Sequence, residues 1–107
     1  MKEILESILK SIEHIEKRPL MYTPEANFAS VSNFINGYLS GIETSTTLNL
    51  NLHFSEWLNK NGQKTSLFWT SYLLMVSAND NDELAYQLMF KELKEFLEEK
   101  ISIEKTL

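Results

Sequence analysis

Apolar positions recur at helical spacing through most of the chain. The first run sets Ile4, Leu5, Ile8, Leu9, Ile12 and Ile15 on one face with Lys and Glu between them, the pattern of an amphipathic helix. Glu3 and Glu6 lie near its positive N-terminal end, and Lys17 and Arg18 near its negative C-terminal end, where each sign is favoured. Pro19 has no amide hydrogen and pushes Arg18 away from helical backbone, so the helix is expected to stop near Lys17. Thr23, Pro24 and Glu25 then offer an N-cap, a first helical residue and a first-turn acid. Phe28, Val31, Ile35, Tyr38, Leu39 and Ile42 follow as the face of a second helix. Gly37 and Gly41 lie four apart on it, and either admit a close neighbouring helix or weaken the last turn.

Glu43 to Thr47 reads as a loop. Residues 48–54 are ambiguous: Leu48, Leu50, Leu52 and Phe54 alternate as in a strand, while Leu50, Phe54, Trp57 and Leu58 fit a helix. No second strand is available, and a lone strand leaves its backbone unpaired, so a helix from about Asn51 to Lys60 is expected, ending at Asn61-Gly62. Thr65 or Ser66 can cap a fourth helix through Leu67, Phe68, Trp69, Tyr72, Leu73, Met75 and Val76. This helix is apolar nearly all round, hence central. The run "NDNDE", Asn79 to Glu83, breaks the chain and opens a last helix, with Asp80 and Glu83 at capping-box spacing. Leu84, Leu88, Met89, Leu93, Phe96, Leu97 and Ile101 make its buried face, and Glu92, Glu95, Glu98 and Glu99 face outward or flank it. The expectation is all-α: a compact bundle of about five helices forming one domain over residues 1–107.

Composition agrees with a globular helical chain, at 43% hydrophobic residues with three Gly and two Pro. The net charge of -5, with no Lys/Arg stripe to offset it, argues against nucleic acid as a partner. It suits a basic protein partner as well as plain solubility. Cysteine is absent, which excludes disulfides and thiolate chemistry. The N-terminus has no continuous apolar signal region, and the longest apolar run, Tyr72 to Val76, is too short for a membrane span. A cytoplasmic location is expected, with no membrane association.

Catalytic and cofactor chemistry find little support. His14 and His53 sit on different helices without converging ligands and read as surface or edge histidines. "NDNDE" mimics the start of a calcium loop but lacks its Gly and closing Glu, so it reads as a helix cap. The three glycines are too scattered to cradle a phosphate, and no serine stands in a nucleophile-elbow context. No enzyme, metal or cofactor is expected. Arg18 is the only arginine; its flat, always charged fork can grip carboxylates or stack on rings. It therefore either ties the end of the first helix to a carbonyl or a Glu of the last, or forms a binding surface with Tyr22.

The segment "EKRPLMYT" resembles two families. A short element in the ATPase subunit of type II topoisomerases is similar over Lys17 to Tyr22, but that family's Asp-x-Gly-x-Gly nucleotide element is missing, so the likeness implies no ATP binding. A broader likeness is to small bacterial proteins that open with Arg-Pro-(Gly)-Met-Tyr. It extends over Asn36-Gly37-Tyr38, over Phe54, Trp57 and Leu58, and over Trp69 and Asp82-Glu83. Leu20 and Thr23-Pro24 depart from that pattern. These proteins resemble immunity proteins of polymorphic toxin and contact-dependent growth inhibition systems. The resemblance implies a protein that neutralises a cognate, basic toxin such as a nuclease by binding it. Candidate partner-binding residues are Asp80, Asp82, Glu92, Glu95, Glu98 and Glu99, with Arg18 and Tyr22. The alternative is a small regulatory or adaptor domain, homodimeric through Trp57 and Trp69.

Overall fold

The computed structural model describes residues 1–106, with side chains through Glu104. Helix α1 spans Lys2–Lys17, a 3-10 turn covers Pro19–Met21, α2 spans Phe28–Ser45, and α3 spans Leu50–Asn61. Helix α4 joins an α-helical turn, Trp69–Ser71, to a π-helical stretch, Tyr72–Ser77, and α5 spans Asp82–Thr106. No described residue lies in a strand. The radius of gyration, 13.4 Å, matches the ~13 Å of a folded domain this long.

Each helix contributes one buried stripe to a single core. Leu5, Ile8, Ile12 and Ile15 come from α1, Phe28, Val31, Ile35 and Leu39 from α2, and Leu50, Phe54 and Leu58 from α3. Trp69, Tyr72 and Leu73 enter from α4, and Ala85, Met89, Phe90, Leu93, Phe96, Leu97 and Ile101 from α5. Helix α5, the longest of the bundle, packs on α1, α2, α3 and the π-helical stretch of α4, so it is the wall on which the other four lean. Leu84, expected inside, is 40% exposed. The stripe actually starts at Ala85, one residue on, and a single residue turns the face by about 100°. Helix α4 is central at Trp69, Tyr72 and Leu73, but Met75 is exposed.

The helix starts differ from expectation at three places, each for a local reason. Thr23 does not cap α2: its hydroxyl donates to the carbonyls of Pro19 (3.2 Å) and Glu25 (2.8 Å), which closes the corner after α1. Asn27, in extended backbone, is the cap and accepts from the Ser30 amide at 2.9 Å. Thr65 and Ser66 do not cap α4 either. Thr65 donates through both its amide and its hydroxyl to Asn59 Oδ1, so this segment is strapped onto α3 and the helix waits until Trp69. Finally, Asp80 cannot open a capping box, because Asn79 and Asp80 adopt left-handed backbone with φ of 51° and 64°. Asn and Asp tolerate that region best after Gly. Asn81 takes over, accepting from the Leu84 amide at 2.9 Å. Helix α2 also runs to Ser45, three residues into the expected loop.

A buried polar network seats the central tryptophan. The Trp69 indole N–H donates to Asn51 Oδ1 at 2.8 Å, and the Trp69 amide donates to Ser55 Oγ at 2.8 Å. The Ser55 hydroxyl in turn donates to the Asn51 carbonyl at 2.9 Å. The Asn51 amide group reaches across to α2, donating to the Asn36 carbonyl and Ser40 Oγ. Glu43 at the end of α2 accepts from the Asn51 backbone amide at 2.9 Å, which satisfies one of the orphan donors at the start of α3. Among the described residues, no side-chain nitrogen or oxygen that is itself sealed from solvent lacks a partner, as a low-dielectric interior requires.

The glycines divide cleanly. A Cβ on Gly37 or Gly41 would meet nothing within 4 Å, so neither admits a neighbouring helix. On Gly62 it would collide with the Tyr72 hydroxyl and lie 3.3 Å from the Leu58 carbonyl oxygen. Gly37→Ala is therefore expected to raise stability by about 0.5–1 kcal/mol through helix propensity. Gly62→Ala is expected to lower it by about 1–3 kcal/mol through overpacking, and by less when Tyr72 is also changed to Phe. Urea denaturation of these three variants, with Tyr72→Phe alone as the reference for the double change, checks both signs.

Candidate functional site

The eight residues singled out from the sequence fall in three separate places. Asp80 and Asp82 lie exposed at the start of α5, some ~25 Å along the helix from Glu99. Arg18 and Tyr22 flank the 3-10 turn at the far end of α1. The glutamates of α5 themselves divide between its two long sides.

At the corner, the Arg18 side chain grips no carboxylate and reaches no carbonyl of any described residue; its backbone is what bonds, the amide donating to the His14 carbonyl at 2.9 Å and the carbonyl accepting from the Met21 amide at 3.1 Å. The tie between the first and last helices is instead Lys94 Nζ to Glu16 Oε1 at 2.7 Å, a half-exposed pair worth at most ~1 kcal/mol. Tyr22 is held by a hydrogen bond to the His14 ring, with its own ring edge-on to His14 at 5.6 Å and tilted on Phe34 at 5.4 Å. Pro19 stiffens the turn, and Leu20 and Met21 stand 67% and 66% exposed on it. The corner is thus a helix stop that displays two apolar side chains beside a free guanidinium.

Glu98 faces α1, where Glu6, Glu13 and Lys10 rim a groove of about 370 Å³ floored by Leu9 and Ile101. Glu92 and Glu99, seven residues apart and so on one side of α5, face α3. Here Trp57 organises the surface. Half buried, it stacks on Phe54 at 6.2 Å and meets Phe96 edge-on at 5.9 Å, and its indole N–H donates to Glu99 Oε2 at 2.7 Å. One wall of Trp57 lines a groove of about 230 Å³ with His53, Lys60, Phe96 and Lys100. There Lys100 Nζ lies 5.6 Å over the Phe96 ring, a cation–π contact. Exposed Glu95 pairs only loosely with Lys91, at 3.7 Å.

Glu92 lines a second, smaller cleft on the other flank of Trp57. Burial raises its carboxyl pKa above the ordinary value, repulsion from Glu95 adds to this, and Lys91 opposes it. The sign follows from linkage: a raised folded pKa favours the protonated form. The stabilising contribution is complete below the unfolded pKa and is lost as pH rises through the folded one.

Trp69, suggested as part of an exposed dimer surface, is fully buried and its indole is committed to Asn51; only Trp57 of the two is accessible. The sequence did not reveal the Trp57–Glu99 hydrogen bond or the cleft at Glu92. Among the described residues no three His, Asp or Glu side chains group as a metal-ligand set, and no helix is long and apolar enough to cross a membrane. No protein-family model, curated protein or solved structure matches the chain.

Proposed function

We propose that this protein is an immunity protein that neutralises a cognate basic toxin, a nuclease, in the cytoplasm by binding it and without catalysing a reaction. The observation that carries the reading is the α3/α5 face. A half-exposed tryptophan is set between two aromatic neighbours and is flanked by Glu92 and Glu99, with Glu95 exposed on the same helix. Tryptophan is among the residues most enriched at binding hot spots, which sit inside a polar rim. Carboxylates fixed on a helix speed encounter with a cationic protein and oppose the charge of a cleft built for an anionic substrate. The likeness of the Arg18–Tyr22, Asn36–Tyr38 and Phe54–Leu58 segments to small bacterial immunity proteins points the same way. The test is co-expression with the product of the gene immediately upstream. That product alone should arrest growth, and this chain should restore growth and copurify with it. A product that is harmless alone, or that this chain neither binds nor silences, overturns the reading.

A further inference from the structure

The cleft on the second flank of Trp57 has the properties of a socket. It measures about 90 Å³ and is lined by Trp57, Leu58 and Asn61 of α3, by Gly62, by Tyr72 and Ser77 of α4, and by Glu92 of α5, so three helices build it. That is room for a few water molecules or one guanidinium head.

Its polar atoms point to a cation. Tyr72 is only 3% exposed, yet its hydroxyl makes no hydrogen bond to any described residue. It ends against Gly62, where the absence of a Cβ leaves the space it occupies. A side chain so deeply buried normally brings its polar tip to a partner, and this tip is instead open to the cleft. Asn61 has committed its amide nitrogen to the Trp57 carbonyl at 2.8 Å, which leaves Oδ1 to accept. The Glu92 carboxylate makes no ion pair with a described residue, and the indole N–H of Trp57 is already spent on Glu99. Acceptors and one negative charge therefore remain, and no described side chain makes an ion pair with them.

The backbone is also shaped for this arrangement. Tyr72 and Ser77 are the first and last residues of the π-helical stretch, and the Ala78 amide closes it on the Leu73 carbonyl at 3.0 Å. In an α-helix, residues five apart diverge by about 140°. The wider π turn brings them to one side, and so to one cleft. Such turns recur at functional sites.

We propose that this cleft is the socket for a single cationic side chain, an arginine or lysine, presented by the protein partner and held by the Glu92 carboxylate, the Tyr72 hydroxyl and Asn61 Oδ1. The source of the cation rests on the partner-binding reading above; the socket itself does not. Trp57 then serves both flanks: its groove beside Phe96 receives an apolar neighbour while the socket grips the charge.

The test uses the full chain and small probes, so no partner is needed. In ¹⁵N-resolved NMR, N-acetyl-arginine methylamide and the lysine equivalent are titrated against the neutral isostere N-acetyl-citrulline methylamide, following the Gly62 amide and the Trp57 indole N–H. At least one cationic probe should shift both signals saturably, half-complete at roughly 1–10 mM, and citrulline should not. Glu92→Gln, which removes charge but not shape, should weaken this about tenfold or more, and Tyr72→Phe should weaken it while the remaining spectrum stays native. The absence of saturable shifts, equal response to citrulline, or an unchanged Glu92→Gln titration overturns the socket. Growth rescue separates the two proposals: a chain that rescues without taking the probes loses only the socket, and one that takes the probes without rescuing loses only the immunity reading.

Discussion

Replacing Asn51 with leucine is expected to lower the unfolding free energy by about 2–4 kcal/mol, with the midpoint of thermal denaturation falling by roughly 10–20 °C. Leucine keeps the volume of the side chain but removes the acceptor for the Trp69 indole N–H and the donor to the Asn36 carbonyl and Ser40 hydroxyl. The surviving indole N–H is sealed in the core, since Trp69 is fully buried, and an unmet buried donor bears its full desolvation cost. Trp69→Phe removes that donor, so the leucine substitution should cost less in its presence. A double-mutant cycle should return a coupling of at least ~1 kcal/mol. Additivity within ~0.5 kcal/mol would mean that packing of the indole ring, not its hydrogen bond to Asn51, seats α4 on α3.

The second large effect concerns association. Glu95→Lys with Glu99→Lys should slow binding to a basic partner at least ~tenfold at low ionic strength. Both positions are exposed, so the change falls mainly on charge. Each replacement raises the charge by two units, taking the chain from -5 to -1. It also withdraws the acceptor that holds the Trp57 indole, so dissociation should quicken as well. The two contributions separate by salt. The gap in association rate narrows as added salt screens the long-range field, while the gap in dissociation rate persists. Stopped-flow mixing across a salt series measures both. Equal association rates for the two proteins at low salt would remove the acidic face from the encounter.

Much of the architecture was legible because it depends on local chemistry. The six apolar residues of α1 and the proline after it determine that helix and its end, and Asn61-Gly62 ends α3 as the pattern implies. The helix starts were less legible because several polar side chains compete for each cap and the winner is decided by distant contacts. Thr23 loses to Asn27 because the corner uses its hydroxyl as a donor, and Thr65 loses because Asn59 holds it down. The site was legible only as a set of outward carboxylates. Sequence periodicity puts Glu92, Glu95, Glu98 and Glu99 on the surface, but not which neighbour each one meets. Glu99 finds Trp57, 42 positions away, and Glu98 turns to the opposite groove. Nor does periodicity signal the cleft. Its residues come from three helices and a glycine, and the π turn that aligns Tyr72 with Ser77 departs from the helical period used to read the sequence.

The mass and stoichiometry of the complex proposed with the product of the upstream gene test the immunity reading most directly. Light scattering of the mixture, paired with calorimetric titration, should give one copy of this chain per toxin and tight binding that weakens with salt. A chain that self-associates into a two-fold dimer and leaves the toxin free would contradict it.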